Sequence, residues 1–198
     1  RKVKEIGERF PDKVAFRYKE FGIWTEITYK EFWDQVQYVG NALKFYGVNV
    51  GETVAVHSEN RPEWIITDVG IQAIQSITVG LYPTNPAQEV KYLLGHSESK
   101  VLFAEDQEQV DKVLEVIDDL PELEKIVYFE SRGITKYDNE KLISCDEFIE
   151  IGKGNFSEPI NGRYKNRTAI SSSYPFTTLF FISRPTITSC SLAYLTII

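Results

Sequence analysis

Methionine is missing from all 198 residues, even at position 1, which predicts a piece of a longer protein. There are two cysteines, Cys145 and Cys190, too few and too far apart for a disulfide framework or a zinc site, so a reduced, cytoplasmic setting is the expectation. No apolar run reaches the roughly 18 residues of a membrane span, and no basic-then-apolar leader opens the chain. The two histidines, His57 and His96, lack ligand partners at metal spacing, and no metal site is expected. Neither GxGxxG nor GxxxxGKS/T is present, and Gly152-Lys-Gly154 is too short to cradle a phosphate. Positive charge is also scarce: 22 Lys and Arg stand against 29 Asp and Glu, a net −7. That argues against nucleic acid or an anionic membrane as the main partner, because both require clustered cations.

The scarcities are unevenly spread. Residues 1–158 hold all 29 acidic side chains and 18 of the 22 basic ones, a net −11, while the remainder carries +4. All 12 glycines occur by Gly162, and 12 of the 31 residues from Thr168 to Ile198 are Ser or Thr. This break divides the chain into a body, 1–158, and an atypical tail, 159–198. The tail combines β-branched and aromatic residues with almost no charge, an aggregation signature.

The body reads as alternating strand and helix. Thr28-Tyr-Lys-Glu31 forms a capping box, after which Phe32, Val36, Val39, Leu43 and Tyr46 line one helical face up to Gly47 as C-cap. Four apolar runs follow: Val54–His57, Ile77–Tyr82, Val101–Ala104 and Ile126–Phe129. Roughly 24 residues separate their starts, room for one crossover helix each, so parallel pairing is expected. Asn85-Pro86 predicts a cap and first helical position ahead of Val90, Leu93 and Leu94. Gln107–Asp119 predicts a helix burying Val110, Val113, Leu114 and Ile117, its acidic side facing water. Ser144-Cys-Asp-Glu147 is a second capping box, before Phe148 and Ile149. Earlier, Val14–Tyr18 and Trp24–Thr28 flank Phe21-Gly22 as a hairpin. The fold class is α/β: a parallel sheet flanked by helices, with an N-terminal hairpin.

Open parallel sheets bind ligands beyond the carboxyl ends of their strands. Those ends carry His57-Ser-Glu-Asn60, Tyr82-Pro-Thr-Asn85, Glu105-Asp106 and Glu130-Ser131. Glu105-Asp106 lacks the first-strand acidic pair that a phospho-accepting receiver needs. A triad of Ser58, His57 and Glu59 fails because sequence neighbours point in divergent directions. The segment HSENRPEW, 57–64, is better read as a strand-to-helix junction: Asn60 and Arg61 organise the turn, Pro62 opens the helix, and Trp64 anchors it on the sheet. Tyr82, Pro83 and Thr84, after what reads as a central strand, are the substrate-pocket candidates, with core packing the expectation for Tyr82. Asn155-Phe-Ser and Asn166-Arg-Thr match the glycosylation pattern, which carries little weight without an export signal.

Thr28–Trp33, Val54–Trp64, Gly80–Pro86, Glu89–Leu94 and Val101–Gln107 occur in an order that resembles the N-terminal part of AMP-forming long-chain fatty acid:CoA ligases, in the adenylate-forming superfamily. NRPEW and YPTNP are the most specific segments, and the similarity spans about residues 10 to 150. The resemblance implies activation of a fatty acid by ATP and Mg²⁺ to an acyl-adenylate, then transfer of the acyl group to CoA. It leaves peripheral membrane association and oligomeric state open. It also implies a phosphate loop of the form TSGTTGxPKG, where this chain has Ser171–Thr178 with neither glycine nor lysine. The family's catalytic, cofactor-binding and metal residues therefore have no counterparts here, and the chain alone is expected to be inactive. The competing reading is a non-catalytic α/β binding or regulatory module.

Overall fold

The computed structural model describes residues 2–20, 22–155, 160 and 196–197. Expectations for the tail, including the comparison at Ser171–Thr178, therefore concern residues outside those described, save Ile160, Thr196 and Ile197. A helix that the sequence pattern did not signal, α1 (Lys2–Arg9), opens the described chain. Strands β1 (Val14–Glu20) and β2 (Ile23–Thr28) then form the expected antiparallel hairpin, turning at Gly22 with φ +86°. The far edge of β1 pairs antiparallel with Thr196–Ile197.

Helix α2 (Tyr29–Phe45) begins at the expected capping box. The Glu31 amide donates to Thr28 Oγ1 at 3.2 Å, and the Thr28 amide donates to the Glu31 carboxylate at 2.8 Å. The bond from the Thr28 amide first, and that from the Thr28 hydroxyl to the same carboxylate second, hold the Glu31 carboxyl below its ordinary pKa. The helix stops in a Schellman arrangement. Gly47, at φ +75°, donates to Lys44 O, and Val48 donates to Leu43 O, both at 3.0 Å.

The body of the fold is a five-stranded parallel sheet: β3 (Thr53–His57), β4 (Ile77–Leu81), β5 (Val101–Ala104), β6 (Lys125–Tyr128) and β7 (Leu142–Ser144). Their order across the sheet is β4-β3-β5-β6-β7, every pair parallel. Strand alternation sorts the core into two halves. Val54, Val56, Val101, Phe103 and Val127 face α2, α3 (Pro62–Ala73) and α6 (Cys145–Gly154). Ala55, Leu102, Ala104 and Ile126 face α4 (Ala87–Ser97) and α5 (Gln107–Leu114). On the first side Phe103 meets Phe148 edge-on at 5.3 Å and stacks on Phe129 at 6.0 Å, each pair contributing about 0.5–1.5 kcal/mol beyond its buried area.

Three local expectations need correction. Pro86 is the extended N-cap of α4 rather than its first helical residue, and Asn85 lies before the cap. Without a side-chain hydrogen bond at Pro86, the helical start is set by where Ala87 and Val90 reach the core. The helix from Gln107 ends at Leu114, and a separate 3₁₀ turn spans Ile117–Asp119. Leu120 precedes Pro121, whose ring disfavours the α region there, and Leu120 sits at φ −120°, ψ 69°. Strand β4 is an edge strand among the described residues, not a central one.

Glycine permits the helices on the first face to touch at their backbones. A Cβ on Gly152 of α6 would lie 2.0 Å from Tyr38 O and 2.7 Å from Tyr38 C, both α2 backbone atoms. A Cβ on Gly70 of α3 would meet the stiff Val39 side chain at 2.7 Å. Gly152→Ala must therefore lift α6 from α2, and overpacking of this kind costs about 1–3 kcal/mol. Gly154→Ala, with nothing within 4 Å of its Cβ, is expected to be neutral or slightly stabilising. Urea midpoints of the two variants check this; equal midpoints would mean that the helices do not need their close approach.

Candidate functional site

Helix α3, leading from β3 to β4, covers one face of the sheet and α5, leading from β5 to β6, covers the other, so the connections from β3 and β5 leave in opposite directions. The carboxyl ends of β3 and β5 are thus the topological switch point, where open α/β sheets form a crevice. Parallel register sets His57 of β3 between Leu81 and Ala104. Beyond it, the chain turns through Ser58, Glu59, Asn60 and Arg61 into α3, with Pro62 in its first turn as expected. Trp64 packs on the core and lies over Gly80 of β4, 3.8 Å from where a Cβ would stand. The anchoring role read from the sequence is what the fold uses.

The crevice is laced by its own side chains. Glu105, just past β5, accepts from the Glu59 amide at 2.6 Å and from Ser58 Oγ at 3.2 Å. Arg61 donates through Nε to Glu63 at 2.8 Å and through Nη1 to Glu130 at 3.0 Å, with Glu105 3.6 Å from the same nitrogen. Its guanidinium also lies over the Phe129 ring, 5.5 Å from the centroid. Burial works against the charge on Arg61, but Glu63, Glu130 and Glu105 outweigh it and raise its pKa above the ordinary value. One guanidinium therefore ties the start of α3 to the ends of β5 and β6. Asn60 is exposed, and the turn is held by its neighbours.

His57 is fully buried and its Nε2–H donates to Tyr82 O at 3.1 Å, which identifies the tautomer because a carbonyl only accepts. Its Nδ1 is buried with no hydrogen-bond partner among the described residues. Burial first, and the charge of Lys112 second, lower the His57 pKa from 6.5 to about 4. The ring is neutral at physiological pH and turned away from Ser58, which bonds to Glu105 instead. Half-buried Cys145 is no nucleophile either: burial, aided by Glu63 and Asp146, pushes its thiol up to about 12.

The pocket candidates Tyr82, Pro83 and Thr84 form the turn after β4. Tyr82 is 59% exposed rather than packed in the core, because the edge position of β4 leaves its outer side uncovered among the described residues. The turn's carbonyls, by contrast, are engaged from behind by His57 and by Lys112, whose Nζ donates to Pro83 O at 2.6 Å. Sequence reasoning missed Lys112, since nothing in the spacing of α5 signals a partner 29 residues earlier. A cleft of about 450 Å³ lies at the opposite end of the sheet, between Ile117–Pro121 and Asp138–Lys141. No cluster of three His, Cys, Asp or Glu able to hold a metal ion is present among the described residues.

The family described as AMP-binding enzyme matches residues 3–155. The long-chain-fatty-acid–CoA ligase ACSBG2 of Xenopus laevis is 29% identical over 150 residues, 76% of this chain and 20% of its own length. The long-chain-fatty-acid–CoA ligase FadD15 of Mycobacterium tuberculosis is 33% identical over 123 residues, 62% of this chain and 20% of its own length. The chain thus spans about a fifth of the length of these curated relatives. Among solved structures, the anthranilate CoA ligase AuaEII in complex with anthranoyl-AMP aligns with a TM-score of 0.64 at 26% identity, over 75% of this chain and 27% of that one. Acetoacetyl-CoA synthetase from Streptomyces lividans aligns at 0.67 and 20% identity, over 80% and 25%, a likeness of fold.

Two outcomes are expected from the junction. Arg61→Ala leaves Glu63, Glu105 and Glu130 facing one another and should cost about 1–3 kcal/mol in urea unfolding, less than a fully buried pair because the site is part-exposed. Glu130→Gln, at the half-exposed rim, should stay within about 0.5 kcal/mol; equal losses in both variants would refute the central role of Arg61. The second outcome concerns pH. The His57 pKa of about 4 lies below the ordinary 6.5, so the unfolded chain takes up the proton first as pH falls. Stability from the neutral ring is fully present above pH 6.5, declines through the window down to about 4, and is then lost, on the order of 3 kcal/mol in all. Unfolding of the parent chain and His57→Leu at pH 7, 5.5 and 4.5 should show a shallower decline in the variant.

Proposed function

Because the chain belongs to the AMP-binding enzyme family, we propose that it is the N-terminal part of an AMP-forming long-chain fatty acid:CoA ligase. In this reading the whole protein activates a fatty acid with ATP and Mg²⁺, releasing pyrophosphate, and passes the acyl group to CoA. The carrying observation is the family match across the parallel α/β unit, with relatives themselves named as long-chain-fatty-acid ligases. Adenylation suits the task because a carboxylate oxygen leaves poorly, whereas AMP leaves readily when the CoA thiol attacks. Residues 1–158 are assigned to the N-terminal domain and 159–198 to a separate tail. The whole protein is proposed to work in the cytoplasm, with peripheral membrane contact at most; no helix among the described residues is long and apolar enough to cross a membrane.

The described residues do not fit a triphosphate or its metal. The carboxyl edge of the sheet presents Glu59, Glu63, Glu105, Asp106, Glu108 and Glu130 against Arg61, Lys112 and the exposed Arg132, and of these cations Arg61 and Lys112 are taken up by Glu63, Glu130 and Glu108. An oligophosphate brought there would meet net negative charge without preorganised donors. The reading therefore assigns no catalytic residue to this chain, which it treats as scaffold and as one wall of the acyl site.

A chimera tests it: residues 3–155 replace the matching segment of the FadD15 ligase. The chimera is expected to form acyl-CoA from a long-chain fatty acid, ATP and CoA within about tenfold of its host's kcat/KM. The 198-residue chain alone should show no fatty-acid-dependent exchange of pyrophosphate into ATP. A chimera that folds yet makes no acyl-CoA would leave a non-catalytic module as the better description.

A further inference from the structure

The turn after β4 is built unlike an ordinary surface loop. Its ends are buried, Leu81 at 3% and Asn85 at 7% exposure, while Tyr82 and Thr84 between them are exposed. Two consecutive carbonyls inside it each receive a donor from a different element. His57 Nε2–H of β3 reaches Tyr82 O at 3.1 Å, and Lys112 Nζ of α5 reaches Pro83 O at 2.6 Å. The Asn85 amide closes the turn onto the same Tyr82 O at 3.0 Å. Pro83 adds a fixed φ. Lys112 would ordinarily keep its ammonium in water; here its side chain is 19% exposed and the amine is divided between Pro83 O and Glu108, 2.7 Å away. Surrendering that solvation for a backbone carbonyl is the mark of a specific contact.

A loop held this way has little conformational entropy left to lose on binding, so its outward side chains are preorganised. What they offer is an aromatic ring, a prolyl ring and one hydroxyl. The nearest cation, Lys112, is already committed to Pro83 O and Glu108, and with Asp106 also acting on His57 the charges behind the turn sum to a net negative. An apolar ligand is favoured there over an anionic one. We propose that His57 and Lys112 are positioning residues that hold the Tyr82–Asn85 turn as a preformed rim for the acyl chain. The assignment rests on the ligase reading above, and it deepens that reading by giving the substrate's hydrocarbon part a place on this chain.

Two arms test it separately. In the 198-residue chain, Lys112→Met keeps the apolar stem and removes the donor; exchange of the Asn85 amide should accelerate about tenfold while the global unfolding midpoint moves little. His57→Leu should do the same, and the peripheral Lys112→Met decides the matter if His57→Leu fails to fold. Unchanged Asn85 exchange would overturn the bracing. In the active chimera, Lys112→Met should raise the fatty-acid KM about fivefold with kcat held within about twofold, and Lys112→Arg should restore it. Faster exchange with an unchanged KM would reduce the brace to a structural role and overturn the acyl assignment. An inactive unsubstituted chimera counts against the ligase reading, and the acyl assignment falls with it.

Discussion

Every side chain of β3 from Val54 to His57 is buried, and the rest of the molecule answers to that constraint. A strand whose two faces are both apolar must be covered on both sides, which an antiparallel meander with one wet face cannot do. Helices therefore divide between the faces, α2, α3 and α6 on one and α4 and α5 on the other. Because α3 and α4 take opposite faces, the path of the chain reverses beside β3. The switch point is a consequence of how the strand is buried, and the candidate site inherits its position from it.

The same constraint explains the character of the site. His57 continues the alternation of Ala55 and so lies beneath α4 and α5, where it is neutral and donates to the turn after β4. At the crevice itself the strand ends bring Glu105 and Glu130 together with the start of α3, and Arg61 is the countercharge that lets them coexist. Negative charge is thereby spent on scaffolding. An edge of this kind stabilises the fold and presents net negative charge to any anion brought there.

Close packing on the other face depends on residues that contribute no side chain. Gly152 lies so near the Tyr38 backbone, and Gly70 so near Val39, that α6 and α3 both press directly on α2. Helix α2 is thus fixed from two sides, and it carries the hairpin through Phe16 and Phe32, whose rings meet edge-on at 4.6 Å. The N-terminal hairpin and the parallel sheet share one core for this reason.

The sequence by itself determined what depends on neighbours within a few residues. Both capping boxes, the helical face from Phe32 to Leu43, the strands β3 to β6 and the seat of Trp64 were all legible, because spacing and cap chemistry act locally. Strand β7, three residues long, was too brief to leave a pattern, and α1 carries no cap signal to mark its start. Tertiary structure decided the remainder. Strand order made β4 an edge and exposed Tyr82, and it joined Arg61 to Glu130 across 69 positions and Lys112 to Pro83 across 29. Such pairs are selected by which strands lie side by side, and strand order is set by the packing of whole faces, which no local spacing encodes.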